Sequence, residues 1–304
     1  MIKNILHELN IQNIDKAIAK GFLEPNYYSS ADHAYIVNKK YYFKEDIDIS
    51  YYLKEKIVEM IAQNEGIETV DTKYVQFGKY YGELAVSFFK DGKKTVNGTT
   101  ILNAYKNFLA KNNLLIPSKP NNLETIRKAL KYYFDLKEEQ LDNLMSEFLK
   151  RYMIDLLTMQ NDRTTNNWEV FVDEHNNFAG ITPMYDSNKS LKNYKYSEMQ
   201  KFPNADLNSF LIKLSYDEEC VHMSSYEEIF YFLEQVDIYI KETFENLVKK
   251  YSPIMIENYC YQLLNRLGID DKKLAMDIIR DYSEHYQILL EIIKKSKNKE
   301  GRSL

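Results

Sequence analysis

The feature that most limits the fold of this chain is a change of hydrophobic periodicity close to residue 91. Before it, β-rich runs enclose one helix whose apolar residues are three and four apart. The runs lie at 34–37, 41–43, 72–77 and 84–89, and the helix lies at 50–65. After it, helical periodicity dominates. Because 304 residues are enough for roughly two domains or lobes, we predict an α+β fold with a mixed lobe at 1–90 and a mainly helical lobe at 91–304.

The helical part is interrupted once, by a polar loop at residues 160–167 that a short hairpin at 168–181 follows. Asp162 and Asn167 lie in the loop, and Asp186 comes just after the hairpin. Because antiparallel strands fold back on each other, residues that bracket them come close in space. We therefore expect these three side chains to meet in one cleft. Taken alone, the loop fits a surface turn better, since Asn, Asp and Thr bond their own backbone.

Charge and composition exclude several classes of protein. Forty Lys and Arg against 45 Asp and Glu give a net charge of −5, so no global positive field exists to hold a nucleic-acid backbone. No run approaches the roughly 20 apolar residues that span a bilayer, and the N-terminal residues include acid and His where a signal peptide is apolar. We therefore expect a soluble, cytoplasmic protein that binds neither nucleic acid nor membrane directly.

The oxygen donors around the polar loop suit Mg²⁺, which takes few protein ligands and completes its shell with water and substrate phosphates. A kinase-type site also needs a strand Lys on the phosphates and a Glu from the following helix to hold it. Lys44 ends the second predicted strand and Glu55 lies in the first turns of the next helix, so both occur in the required order. Considered singly, the two also fit a solvent-exposed ion pair of little energetic value.

Four stretches of the sequence resemble the HipA-like serine/threonine kinases, most closely the short stand-alone bacterial members. These stretches are Tyr41-Tyr-Phe-Lys44, residues 54–67, Asn161-Asp-Arg-Thr-Thr-Asn-Asn167 and Met184-Tyr-Asp-Ser187. The resemblance covers residues 30–190, with looser agreement in the C-terminal helices. In that family Asn-x-Asp-x-His-x-x-Asn supplies the catalytic Asp and a metal-binding Asn, and a Tyr-Asp pair replaces Asp-Phe-Gly. The resemblance implies a two-lobed protein-kinase-like fold with ATP and Mg²⁺ between the lobes.

The resemblance also implies a role for each matching residue. Asp162 would be the catalytic base that receives the proton of a Ser or Thr hydroxyl in a protein substrate. Asn167 and Asp186 would bind Mg²⁺, and Lys44 with Glu55 would form the ion pair that holds the phosphates of ATP. Some relatives act with a small DNA-binding antitoxin, and some short relatives are secreted into a host cell. An antitoxin partner and secretion therefore stay open for this chain.

Two segments depart from the pattern of kinases. Thr164 stands where the family has a His that usually supports the shape of the loop. No Gly-rich phosphate loop occurs, and residues 28–33 are the best match to the non-glycine phosphate loop of the family. Ser29 and Ser30 are its candidate phosphate-binding residues. In some relatives a Ser of this loop is itself phosphorylated, which switches the enzyme off, so the same serines are candidate autophosphorylation sites.

Two alternatives to a protein kinase stay open. Thr164 and the missing glycines are also typical of a nucleotide-binding pseudokinase that acts as a regulatory or toxin–antitoxin partner. Because the fold does not dictate the acceptor, the same ATP site also suits a kinase of a lipid, a small molecule or RNA. Measurement of ATP binding and turnover, followed by analysis of the products, separates the three.

Overall fold

A computed structural model of the chain describes most of the sequence after residue 40. The described residues are 23–25, 34–37, 41–45, 48–77, 80–86, 94–117, 123–160, 163–187, 190–191, 229–230, 233, 236 and 238–300. Within these ranges no helix is both long enough and apolar enough to cross a membrane. The predicted site residues that lie outside them are Asp162, Ser29 and Ser30.

The N-terminal part is built on a five-stranded antiparallel sheet. Its strands are β1 (Leu23–Pro25), β2 (Ala34–Val37), β3 (Tyr41–Glu45), β4 (Thr72–Phe77) and β5 (Tyr80–Val86), in the spatial order β1-β2-β3-β5-β4. β3 pairs with β5 so that Lys44 lies directly opposite Glu83. Phe43 and Leu84 form the neighbouring pair and are buried. Because neighbours along a strand alternate between faces, the charged pair and the apolar pair lie on opposite faces of the sheet.

The structure corrects the sequence prediction at β5. The strand begins at Tyr80 and ends at Val86, whereas the sequence predicted residues 84–89. Gly82 was interpreted as part of the connecting turn, but it pairs within the sheet opposite Val75. A glycine weakens a strand without excluding it, so the aromatic residues before it extend the strand. The short strand β1, with three residues, was not predicted because it is too short to show a period.

The helix α1 (Ile49–Asn64) confirms the prediction at 50–65. Asp48 caps its N-terminus by accepting a hydrogen bond from the Ser50 backbone N–H at 2.7 Å. The helix ends before Gly66, whose φ of +77° is the left-handed conformation that favours glycine. The fully buried residues on its apolar face are Leu53, Ile57, Ile61 and Ala62. This periodic face fixes α1 in the core.

The C-terminal part combines a small sheet with helices. The antiparallel sheet has the order β6-β7-β8, with β6 (Lys94–Asn97), β7 (Glu169–Val172) and β8 (Phe178–Ile181). The helices are α2 (Gly98–Lys111), α3 (Leu123–Phe134), α4 (Glu138–Leu157), α5 (Ile238–Lys250), α6 (Pro253–Leu267) and α7 (Lys272–Glu300). One hydrophobic core includes side chains from α1 to α7. The β7–β8 hairpin is the one that the sequence predicted, and it brings the loop before it close to the segment after it.

Hydrogen bonds join the two parts at the C-terminal end of α1 and in the segment that follows it. Met184, in the segment after β8, donates its backbone N–H to Glu68 O at 2.7 Å and accepts from Val70 N–H at 3.0 Å. At the C-terminal end of α1, Glu65 accepts a hydrogen bond from Tyr251 Oη at 2.6 Å. The helix therefore has a fixed position relative to the segment that contains Asp186.

Candidate functional site

An ion pair between two distant parts of the sequence lies at the centre of the site. Lys44 Nζ, on β3, donates to Asp186 Oδ1 at 2.8 Å across 142 residues of sequence. The two side chains are 24% and 29% exposed, so both are accessible to a ligand. Burial lowers the pKa of Lys44, but the charges of Asp186, Glu83 and Glu55 outweigh it and raise the pKa above its usual value. Lys44 is therefore a cation at neutral pH.

Two further carboxyl groups lie in the electrostatic field of Lys44. Glu83 comes from β5 and Glu55 from α1, and both side chains are buried. In each of them Oε2 is buried and has no hydrogen-bond partner among the described residues. Burial and the charge of Glu83 raise the pKa of Glu55, and burial also raises the pKa of Glu83. The ion pair of Lys44 is with Asp186, and Glu55 acts on Lys44 through charge.

The backbone of Asp186 has an unusual conformation that its neighbours hold in place. Its φ is +56°, in the left-handed region that non-glycine residues seldom occupy. Asp186 O accepts a hydrogen bond from Gln160 Nε2 at 2.9 Å. The preceding carbonyl, Tyr185 O, accepts one from Arg163 Nη1 at 2.5 Å. Such a conformation persists when the surrounding structure determines it, and here both adjacent carbonyl groups are bound.

A buried arginine links the polar loop to this segment. Arg163 forms a bidentate ion pair with Asp155 of α4, with Nε–Oδ2 and Nη2–Oδ1 distances of 3.1 Å each. Its Nη2 also donates to Ser187 Oγ at 2.9 Å, and its Nη1 also donates to Asn167 O at 3.4 Å. Burial lowers the pKa of Arg163, but the Asp155 charge outweighs it and raises the pKa. One guanidinium therefore connects α4, the loop and the residues on both sides of Asp186.

The polar loop also packs against the start of α2. Thr99 N–H donates to Thr165 O at 3.1 Å. The Thr99 hydroxyl donates its proton to Asn166 Oδ1 at 2.7 Å. It also lies 2.6 Å from the Thr165 hydroxyl, and because the Thr99 proton is already donated, Thr165 is the donor in this second contact. A Cβ at Gly98 would lie 2.2 Å from Trp168 Cε2. A glycine is therefore required where α2 approaches the loop so closely.

The structure brings together part of the predicted site. Lys44 and Asp186 are in contact, and Glu55 is buried within their electrostatic field. The backbone carbonyls of Asn167 and Tyr185 share the Nη1 of Arg163, so the loop and the Asp186 segment are neighbours. The base assigned to Asp162 and the phosphate contacts assigned to Ser29 and Ser30 fall outside the described residues.

Sequence reasoning missed the residues that organise the site. They are Asp155, Gln160, Arg163 and Glu83. Two of them had a detectable signal. Asp155 is a charge within the apolar run Met153-Ile-Asp-Leu-Leu157, and Glu83 directly precedes the apolar run Leu84-Ala-Val86. A charge among residues that become buried indicates a partner elsewhere in the fold.

The donor set of the site fits Mg²⁺. Within the described residues no three His, Cys, Asp or Glu side chains form a group that could hold a metal ion. Mg²⁺ needs only one or two carboxylates, with water and phosphate oxygens completing its shell. The part-exposed carboxylate of Asp186 and the amide of Asn167 are oxygen donors of this kind, on two segments that Arg163 links.

Comparisons with known proteins identify the fold. No protein-family profile and no curated protein sequence matches the chain. Among solved structures, the Helicobacter pylori proinflammatory kinase CtkA is similar, with a TM-score of 0.58, 14% identity, and coverage of 88% of this chain and 94% of CtkA. HipA of Shewanella oneidensis MR-1, solved with HipB and operator DNA, has a TM-score of 0.56, 11% identity, and coverage of 94% of this chain and 72% of HipA. The chain therefore has the α+β, HipA-like kinase fold, which confirms the fold class and the resemblance read from the sequence.

Proposed function

We propose that this chain is an ATP- and Mg²⁺-dependent kinase that transfers the γ-phosphoryl group to Ser or Thr hydroxyls of a protein, with residues 1–90 as its small lobe and 91–304 as its large lobe. The observation that carries the proposal is the contact between Lys44 and Asp186 at 2.8 Å. Phosphoryl transfer needs a strand lysine for the phosphates beside a loop carboxylate for the metal. The two groups meet where β3 approaches the segment after β8, in a fold that known kinases share.

The proposed roles follow from the position and charge of each group. Lys44 exchanges Asp186 for the phosphates of ATP, while Glu55 and Glu83 balance its charge from the buried side. Asp186 and Asn167 hold Mg²⁺, which when bound neutralises charge on the phosphates. Most of the rate acceleration then comes from position and electrostatic stabilisation, because phosphoryl transfer requires little covalent chemistry from the protein.

Asp162 is the proposed catalytic base, and Ser29 and Ser30 are the proposed contacts to phosphate. Asp162 directly precedes Arg163, whose backbone belongs to the loop next to the Asp186 segment. This adjacency in sequence supports a role for Asp162 in orienting the acceptor hydroxyl and receiving its proton. The serines are proposed from the resemblance to the family alone.

Incubation with radiolabelled ATP, Mg²⁺ and a generic basic protein tests the proposal. We expect label on the protein or on the chain itself, and we expect its loss in Asp162→Asn and Asp186→Asn. Asp173→Asn is the matched control, because Asp173 is a carboxylate that accepts hydrogen bonds in the exposed β7–β8 turn. Absence of transfer by the unmodified chain, with either type of acceptor, would contradict the proposal.

A second candidate is a nucleotide-binding pseudokinase that acts through a partner, and Thr164 in place of the family His favours it. An antitoxin-type partner belongs to this candidate, because the similar HipA structure contains HipB. Calorimetry separates the candidates, since a pseudokinase binds ATP without turnover. If ATP binds and is consumed while no protein is labelled, thin-layer analysis with lipid, small-molecule and RNA acceptors identifies a kinase of another acceptor class.

A further inference from the structure

We propose that Arg163 is a positioning residue of this site, fixing the backbone from which Asp186 and Asn167 reach their ligand. The inference rests on the proposed function, because it assigns a role within the same site.

The contacts of the guanidinium carry the inference. Arginine has five N–H donors in a rigid planar fork. Two of its nitrogens bind the Asp155 carboxylate, which sets the direction of the fork from α4. The guanidinium also donates to Tyr185 O, Asn167 O and Ser187 Oγ. The fork therefore binds the residue before Asp186, the residue after it and the proposed metal-binding asparagine.

The burial of the pair indicates a positioning role rather than a role in chemistry. The Arg163 and Asp155 side chains are 5% and 4% exposed, so neither is open to a nucleotide. Asp186 needs external support, since its φ of +56° is seldom adopted by residues other than glycine. A donor on the carbonyl of the preceding residue limits rotation of the peptide unit that leads into Asp186. Arg163 thus acts on the reacting groups through their backbone.

Thr164 does not provide this support. Its carbonyl accepts from Asn167 N–H at 3.0 Å and its hydroxyl accepts from Asn166 N–H at 3.3 Å. Among the described residues, its hydrogen bonds stay within the loop and do not reach the Asp186 segment. Gln160, through Asp186 O, and Tyr185, whose Oη donates to Asn166 O at 3.0 Å, also connect the two segments. Arg163 is the neighbour of Thr164 that binds both Tyr185 O and Asn167 O.

The test must separate positioning from a contribution to folding. Replacing both partners, in Arg163→Met with Asp155→Leu, removes the ion pair without leaving a buried charge, and such apolar replacements are often neutral for stability. We expect this double variant to fold, and its kcat for label transfer to fall roughly 10- to 100-fold, the range for groups that orient metal ligands. Arg163→Lys keeps the positive charge but lacks the fork, so we expect the same loss of kcat.

Arg151→Met is the matched control for loss of a buried arginine. Arg151 is on α4, as Asp155 is; it pairs with Glu147 at 3.3 Å and donates to Thr182 O at 2.8 Å. Because these hydrogen bonds reach neither the loop nor residues 185–187, we expect lower stability with kcat unchanged. If the double variant folds and transfers label as fast as the unmodified chain, the positioning role is wrong.

Hydrogen exchange provides a readout that does not depend on activity. In the double variant and in Arg163→Lys we expect faster exchange in peptides covering 163–167 and 184–187, with α4 unchanged. If the unmodified chain binds no ATP, the proposed function fails, but this comparison still tests the link made by Arg163. Unchanged exchange in both peptides, in variants that fold, would overturn the inference. If the double variant does not fold, Arg163→Lys decides the question by the same two measurements.

Discussion

The site contains two ion pairs that differ in burial and in geometry. Lys44 and Asp186 share one contact of 2.8 Å and are 24% and 29% exposed. Arg163 and Asp155 share two contacts of 3.1 Å each and are 5% and 4% exposed. The first pair can exchange its partners for ligand groups, whereas the second has no access to them. The difference separates the groups proposed to do chemistry from those that fix geometry.

The free energies of the two pairs follow from the same difference. A pair with access to solvent typically contributes about 0–1 kcal/mol, so a ligand opens it with little loss. Breaking a buried pair by removing one partner typically costs about 3–5 kcal/mol, because the remaining charge stays buried without a counter-charge. A site that binds ATP between Lys44 and Asp186 needs the first property. The loop that presents its residues needs the second.

The largest effect is expected for Arg163→Met. The variant leaves the Asp155 carboxylate buried among apolar side chains of α4, and we expect the free energy of unfolding to fall by about 3–5 kcal/mol. Urea denaturation followed by circular dichroism measures the change. Adding Asp155→Leu should restore most of the lost free energy of unfolding. A loss below about 1 kcal/mol in the single variant would show that this pair behaves like the exposed one.

Lys44→Met tests the part-exposed ion pair between Lys44 and Asp186. We expect the rate of label transfer to fall at least 100-fold, as an order of magnitude for one electrostatic group of an active site. Lys73→Met, on strand β4 of the same sheet, is the control, because Lys73 pairs at 3.6 Å with Asp71 at the surface. Initial rates with radiolabelled ATP measure the effect. Equal rates in the two variants would show that Lys44 is not part of the active site.

The stability of the fold is expected to fall in acid because of a buried histidine. His285 of α7 is buried, and its Nε2 donates to Leu156 O, next to Asp155, at 2.8 Å. Burial lowers its pKa from 6.5 to about 4. The unfolded chain therefore binds a proton that the folded chain excludes, and stability falls as the pH drops from 6.5 towards 4.

For this histidine we expect about 2 kcal/mol less stability at pH 5 than at pH 7. Urea denaturation at the two pH values measures the difference. In His285→Gln, which keeps a donor for Leu156 O, that part of the pH dependence should disappear. If the stability of His285→Gln falls between pH 7 and pH 5 as much as that of the unmodified chain, other groups cause the acid sensitivity.

The parts of the fold that were predictable are those with local signals. The helix α1 has a periodic apolar face, an Asp48 cap and Gly66 at its end, so its bounds were predicted closely. The strand β6 was missed because its four residues show no full pattern, and their partner strand, β7, lies more than 70 residues later. Pairing between distant short segments leaves no local trace.

The same reasoning explains what was predicted of the site. Lys44 and Asp186 were expected in one cleft because their order matches a kinase and a hairpin precedes Asp186. The Arg163–Asp155 pair was not predicted, since it joins the end of a helix to a loop and no spacing rule relates the two. Only the isolated charge of Asp155 in an apolar run pointed towards it.

The smallest effect is expected for Asp→Asn in the part-exposed pair, when it is compared with the same substitution in the buried pair. Asp186→Asn removes the negative charge that pairs with Lys44 but also relieves repulsion with Glu55 and Glu83, and Asn tolerates the left-handed φ of this position. We therefore expect stability to change by less than about 1 kcal/mol, and still less at high salt. Asp155→Asn leaves Arg163 buried and only partly compensated, so its loss should be several times larger. Denaturation of both variants at low and high salt makes the comparison, and equal losses would show that burial does not distinguish the two pairs.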